Sequence, residues 1–385
     1  MRRLFLIALS ASMINVVTAV AQNKIVIPDT DEYQVLTGDM HIHTTFSDGN
    51  VWPTTRVKEA YSEGVEVICI TDHLDERHKK LVKSGMFNGD RNVSYDLAVK
   101  NAEEYGVIVI KGAEISRGMP PGHFNTLFIS DVEPIAQAND AQKDHQKGML
   151  AGLEEAEKQN AFCVWNHPHW SAQQPVEVKW HPQHEEIFNK GQMHGIEVYN
   201  SCDGFSFEAF QWAIDKNLTM ICGTDVHGPV FLDYNFNAGE LRPVTLIFAK
   251  EKSEAGVREA LENRRTAVFA DGCVYGDEQL LKSLLKSVIK VEKVSNKGKR
   301  ILVVLKNNSS IPLRLKRAEV LNEVTCPMFK MIYPMGEQSF ECCALEYNAP
   351  ITADEFVLSY ELENFYTAPG QKLTYQITIR NPRNQ

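Results

Sequence analysis

Across residues 38–270, short apolar runs alternate with longer amphipathic ones, and nearly every apolar run stands beside a histidine or a carboxylate. No other feature narrows the folds open to this chain as much. The apolar runs at 65–71, 107–111, 125–129, 161–165, 195–199, 219–222 and 243–248 have the length and composition of buried strands. The stretches at 54–62, 95–105, 148–159, 207–216 and 254–264 carry helical periodicity. Alternation on this scale predicts a parallel sheet with crossover helices, long enough to close into a barrel. In such a barrel the C-terminal ends of all strands open on one face, so residues distant in sequence converge there.

The chemistry follows that order. The first strand ends in His41-Ile42-His43, with Asp48 in the loop beyond it. A side-chain period of two sends both imidazoles to one side of the strand. Asp72-His73 follows the run VICIT, and Glu114 follows VIVIKGA. His123 precedes FNTLFI, His167 follows AFCVWN, and Asp225 and His227 follow MICGT. A single His-x-His arises by chance, and a lone histidine after a strand is usually a loop residue with a satisfied ring. Six histidines and three acids in an order that one architecture explains are another matter. Imidazole and carboxylate donors suit zinc, manganese or iron. No C-x-x-C pair is present, which argues against a cysteine-based zinc site.

The runs GDMHIHTTFSDG, ITDH, GAEIS, PGHFN, NHPH and GTDVHG resemble the successive motifs of the PHP (polymerase and histidinol phosphatase) superfamily. The resemblance spans residues 38–270. It implies a distorted seven-stranded β/α barrel, TIM-like in plan, and two to three divalent metal ions, zinc, manganese or iron. The ligands it implies are His41, His43, Asp48, His73, Glu114, His123, His167, Asp225 and His227, with Glu114 bridging two metals. Asp48 matches a position that some family members fill with histidine. His169 is an alternative to His167, otherwise a residue facing the substrate. The implied activity is hydrolysis of phosphate mono- or diesters of small soluble substrates by a metal-activated water, with Glu114, Asp225, His227 and Arg117 as the catalytic set.

Neighbouring residues carry two readings each. Asp72 orients His73 or caps the next turn. Arg117 clamps a substrate phosphate through its planar fork or forms a surface ion pair. Glu197 and Asn200 support the ligands or merely end their strand. Trp170 is expected to wall the pocket and Trp165 to pack in the core. His78, His145, His181, His184 and His194 are expected in solvated loops and helices.

Beyond residue 284 the texture changes. Residues 300–306, 313–316 and 372–380 alternate apolar and polar side chains, and Asn307-Asn308-Ser309-Ser310 and Ala368-Pro369-Gly370 are turn sequences. The expected organisation is a barrel domain over 22–283 and a small all-β sandwich over 284–385, the latter a stabilising or docking module. Cys69, Cys163 and Cys222 lie in apolar runs as small buried thiols, whereas Cys326, Cys342 and Cys343 leave one disulfide open.

Arg2 and Arg3, an apolar stretch to Val20 and the triplet Ala19-Val20-Ala21 have the layout of a cleaved secretory leader over residues 1–21. The mature chain would be periplasmic or secreted, with no second run of the ~20 apolar residues that span a bilayer. Net charge is −10, and −12 without the two leader arginines. So acidic a body disfavours nucleic acid as a broad partner. Three divalent ions set against Asp48, Glu114 and Asp225 leave a local charge of about +3, which suits a small anionic phosphate ester.

Two other readings compete. An amidohydrolase cleaving amides or lactones also opens with His-x-His, but that pattern expects a lysine where Glu114 stands. A non-catalytic metal- or ligand-binding barrel would need only about four ligands and no open position. The leader gives the first testable outcome. Protein recovered from the cell envelope should begin at or near Gln22 on N-terminal sequencing, and an intact Met1 there would exclude cleavage.

Overall fold

A computed structural model describes residues 24–74, 82–85 and 87–382. The expected leader and His78 lie outside these residues. The first half contains β1 (Gln34–Ile42), β2 (Val67–Ile70), β3 (Ile108–Ser116), β4 (His123–Leu127), β5 (Phe162–Trp165), β6 (Gly195–Asn200), β7 (Gly204–Phe205), β8 (Thr219–Gly223), β9 (Val244–Ala249), β10 (Thr266–Ala270) and β11 (Cys273–Gly276). Helices Pro53–Glu63, Val93–Tyr105, His145–Lys158, Phe207–Asp215 and Glu254–Glu262 fall where the periodicity placed them.

The ring follows the order β1-β2-β3-β4-β5-β6-β8. Neighbours are parallel except at β4, which runs antiparallel to both β3 and β5. This departs from the all-parallel expectation for a simple reason. Only residues 117–122 join β3 to β4, too few for a crossover, which needs about a dozen. β9 also pairs antiparallel with β1, and β10 with β9. Leu36, Met40, Val67, Cys69, Ile110, Leu127, Phe162, Val164, Ile221 and Ile247 meet in one buried cluster inside the ring. β1 then breaks register between Asp39 and Ile42, an irregularity of the kind that re-aims side chains at barrel rims.

The ring closes between the end of β1 and the segment after β8. Asp225 N–H donates to the His41 carbonyl at 2.8 Å, and His43 N–H donates to the Val226 carbonyl at 3.2 Å. Beneath this seam, buried Asp39 accepts from the Thr224 amide at 3.0 Å and its hydroxyl at 2.5 Å. Arg242, also buried, bridges Asp39 and Glu63, the latter at 3.0 Å.

Helix Glu278–Val288 leads into β12 (Ile289–Lys297), β13 (Arg300–Asn307), β14 (Leu313–Val320), β15 (Val324–Thr325), β16 (Phe329–Ile332), β17 (Glu337–Ala344), β18 (Glu355–Ala368) and β19 (Gln371–Arg380). They form two sheets, β12-β13-β17-β15 and β16-β14-β18-β19. Ile301, Val303 and Leu305 alternate inward from one, and Leu313, Leu315, Phe356, Leu358 and Leu362 from the other. This is the expected all-β sandwich. Cys326 and Cys342 are buried thiols, and no disulfide joins them or Cys343. Among the described residues no helix is long and apolar enough to cross a membrane.

Barrel and sandwich are not packed as separate bodies. β11 pairs in parallel with β18 through Val274–Phe365 and Tyr275–Tyr366. Val26 N–H donates to Ser310 Oγ, and Ser310 N–H to the Val26 carbonyl, both at 2.8 Å. One buried cluster runs from Val57 and Ile68 through Leu281, Leu284, Leu285 and Val288 to Phe356 and Ile379. The boundary expected near residue 283 therefore falls inside a helix that both halves bury. Leu284→Ala should cost about 2–5 kcal/mol and lower one shared unfolding transition. Two separate calorimetric transitions, only one of them shifted, would show that the halves fold independently.

Candidate metal centre

All nine sequence-predicted ligands meet at the end of the ring where β1, β2, β3 and β8 terminate. His123 joins them because β4 is antiparallel, so its first residue lies beside the last residues of β3, opposite Ser116. Three overlapping groups have donor atoms within 4.8 Å of one another: His43, Asp48, His73 and His227; His41, His43 and Asp225; and His73, Glu114 and His123. His167 stands outside these groups, its Nε2 3.4 Å from Glu114 Oε1.

Glu114 occupies the middle. Its Oε1 lies 3.0 Å from His123 Nδ1 and accepts from Asn166 Nδ2 at 2.9 Å, while Oε2 lies 2.6 Å from His73 Nδ1. Asp225 Oδ1 lies 2.9 Å from His43 Nε2 and 3.4 Å from His41 Nε2. Asp48 Oδ2 faces His227 Nε2 at 3.0 Å. The Nε2 atoms of His41 and His43 are only 3.1 Å apart. A proton shared between the two rings, or a cation bound by both, spans such a separation. The donor set fits divalent ions bound by nitrogen and oxygen.

Charge and burial act on one another here. Burial opposes ionisation of Glu114, but the imidazoles of His73, His123 and His41 outweigh it and hold its carboxyl well below the usual range. Burial likewise opposes Asp225 ionisation, and His41 and His43 overcome it. Burial, with His73 beside it, pushes His43 down to about 3, so that ring is neutral and offers a lone pair. His123 and His227 are lowered for the same primary reason, burial. His41 goes the other way. Burial is outweighed by Asp225, Glu197 and Glu114, which raise it well above its ordinary value.

The supporting residues resolve several paired readings. Glu197 is fully buried, with Oε1 2.9 Å from His41 Nδ1 and Oε2 accepting from the His167 amide at 2.7 Å and Asn200 Nδ2 at 3.0 Å. It fixes the His41 ring with Nε2 directed to the centre, the role such carboxylates play behind histidine ligands. Asp72 accepts from the Thr44 amide and hydroxyl, both at 2.7 Å, and from Ser47 Oγ at 2.6 Å, bracing the loop after β1. Ser116 Oγ holds His73 Nδ1 at 2.5 Å. Trp170 flanks His123 and His167 with ring centroids 5.5 and 5.1 Å away, and Trp165 is buried.

Two expectations need correction. Arg117 lines the groove beside the centre, but Nε and Nη2 of its fork are already engaged. Its Nε donates to Asn139 Oδ1 at 2.7 Å and its Nη2 to the carbonyls of Asn139 and Gln142, because the end of helix Glu133–Asp140 leaves carbonyls that a cation satisfies. His184 is not solvated. It is buried against Trp165 at 3.7 Å between centroids, with Nε2 2.7 Å from the Pro121 carbonyl, and burial pushes it down to about 3. His145 is exposed, as expected.

The ligands open on a cavity of about 160 Å³ lined by Asp48, His73, His123, His167, Trp170, Cys202, Asp225 and His227. A groove of about 330 Å³ continues past His73, His123 and Trp170 to Ser116, His145 and Gln173. A larger cavity of about 740 Å³ includes Tyr33, Leu218 and Arg265, near the starts of β1, β8 and β10, and none of the nine ligands lines it. The chemistry belongs to the smaller one. Residue 223 gives a test of the packing behind it. A Cβ on Gly223 would lie 2.3 Å from Glu197 Oε1 and 2.5 Å from His41 Cβ. Gly223→Ala should displace both and weaken metal binding by roughly tenfold or more. Elemental analysis finding full metal content at wild-type affinity would show that Glu197 does not set the His41 ring.

Residues 39–166 match the PHP domain, and residues 288–378 match an Ig-like domain. A two-domain protein from Bacteroides vulgatus, containing a predicted PHP-like metal-dependent phosphoesterase, shares 38% identity over 93% of this chain and 99% of its own, with a TM-score of 0.82. A 5'-3' exoribonuclease from Haemophilus influenzae is 36% identical over 78 residues, 20% of this chain and 23% of that enzyme's length. An amidohydrolase from Chromobacterium violaceum is more distant, at 15% identity over 61% of this chain and 98% of its own, with a TM-score of 0.38. The near full-length likeness to the Bacteroides protein places this chain in the family of two-domain, PHP-like metal-dependent phosphoesterases.

Proposed function

We propose that the protein hydrolyses small, soluble phosphate esters, as an exported enzyme loaded with two or three zinc, manganese or iron ions. The observation that carries this reading is the set of three overlapping ligand groups around Glu114 on one small cavity. Ions bound there would supply a water that ionises near neutral pH and positive charge for the phosphate oxygens. His41, His43, Glu114 and Asp225 would hold the pair nearest the attacking water, and Asp48, His73 and His227 the ion that receives phosphate or leaving oxygen.

The chain's own residues do the rest. Glu197 and Ser116 keep the His41 and His73 rings turned inward, so little reorganisation is needed when substrate arrives. Trp170 walls the cavity against His123 and His167 and limits access of bulk water. A cavity of about 160 Å³ suits the phosphate, and the adjoining groove suits a leaving group. Glu114, where an amidohydrolase would carry lysine, favours the phosphoesterase over that alternative. Cys202 lines the cavity with Sγ 3.7 Å from Asp225 Oδ2.

Steady-state kinetics on p-nitrophenyl phosphate and bis-p-nitrophenyl phosphate, with manganese or zinc restored, test the proposal. Metal-dependent release is expected from at least one. Asp48→Asn and His227→Ala should depress kcat by roughly tenfold or more while KM moves little, as for interactions made mainly in the transition state. No metal-dependent release from either, nor from sugar, nucleotide and lipid head-group phosphates, would remove the phosphoesterase reading.

A further inference from the structure

Arg56 lies in helix Pro53–Glu63 and is buried to 1% exposure, and its guanidinium is committed to the backbone that carries the candidate ligands rather than to their side chains. Nε donates to the His43 carbonyl at 3.0 Å, Nη2 to the Val226 carbonyl at 3.0 Å and Nη1 to the Gly228 carbonyl at 2.9 Å. One fork thus joins the backbone of ligand His43 to the residues on either side of ligand His227. Glu59 supplies the counter-charge at 2.8 Å, and its other oxygen accepts from the Val230 amide at 3.1 Å.

We propose that Arg56 is the positioning residue for the ion held by His43, Asp48, His73 and His227, and that it sets occupancy of that site more than that of the neighbouring ones, which share only His43 or His73 with it. The rings of His43 and His227 stack at 4.3 Å, so the bracket behind their backbones fixes how close two of its four ligands stand. Three of the other candidate ligands have anchors of their own. His41 is held by Glu197, Glu114 by Asn166 and His73 by Ser116. Asp48 leans on the same bracket, because Asn50 N–H donates to the His227 carbonyl at 2.7 Å and ties its loop to the segment Arg56 clamps. Three carbonyls at three angles need a planar fork, and a lysine ammonium cannot span them. The inference rests on the cluster being a metal centre and does not depend on its substrate.

The test counts ions. Wild-type protein, Arg56→Lys and Glu59→Gln are equilibrated with zinc or manganese, challenged with chelators of graded strength, and analysed for metal per chain. Arg56→Lys should hold one ion fewer than wild type at limiting metal, with affinity for that ion lowered roughly tenfold or more. Excess metal should restore wild-type stoichiometry and most of kcat, which a group acting in the chemistry would not allow. Glu59→Gln, with the guanidinium kept, should shift the same ion in the same direction by less, and it carries the test if Arg56→Lys fails to fold. Unchanged stoichiometry and affinity, with only a lower melting temperature, would make Arg56 merely structural and overturn the proposal. Parallel loss of all ions would overturn its selectivity. Wild-type protein that binds no metal would sink the cluster itself, an outcome distinct from a metal-loaded wild type that cleaves no phosphate ester.

Discussion

The seam where the segment after β8 meets the end of β1 is the constraint on which the centre depends. Two backbone hydrogen bonds, from Asp225 to His41 and from His43 to Val226, register four ligands to within a residue of one another. Side-chain period does the remainder, placing alternate residues of both segments toward the same space. Backbone bonds of this kind are modest singly, about 1 kcal/mol each. The seam is therefore backed by charges that cannot move. Asp39 holds Thr224 from below, Arg242 holds Asp39, and Arg56 clamps the carbonyls from the helix side. Removing one member of a buried ion pair costs about 3–5 kcal/mol, so Asp39 and Arg242 stand or fall together.

The gathering of the candidate ligands was legible because their positions obey rules of strands. His41 and His43 share a face by period, and Glu114, Asp225 and His227 sit where strand ends must. His123 was legible only as a ligand-type residue before an apolar run. Its place became explicable once β4 proved antiparallel, a consequence of the short loop 117–122. The supporting residues were less readable. Glu197 ends a strand as many carboxylates do, and only its contacts with His41 and His167 set it apart. Arg56 reads as an ordinary helical arginine, because nothing local records that its helix lies over carbonyls some 170 residues further along the chain. Arg117 misled for the opposite reason. It sits beside Glu114 in sequence, but the open end of a helix drew its fork away.

The sandwich was legible from alternation, as in β13 and β19, but its attachment was not. A texture change near residue 284 looks like a boundary, whereas Leu281, Leu284, Leu285 and Val288 of the bridging helix pack into one core with strands of both halves. Pairing of β11 with β18 carries the sheet across the same junction. Strand pairing between residues some ninety positions apart leaves no local sequence mark.

That common core couples ions to strands they never touch. A cation that binds only the folded barrel stabilises whatever unfolds with it, by about 2.7 kcal/mol when free metal exceeds its dissociation constant a hundredfold. Where barrel and sandwich melt together, the sandwich shares in that gain. A metal ion bound to the barrel would then slow the loss of the whole chain, strands of the sandwich included, to proteases that take its unfolded form.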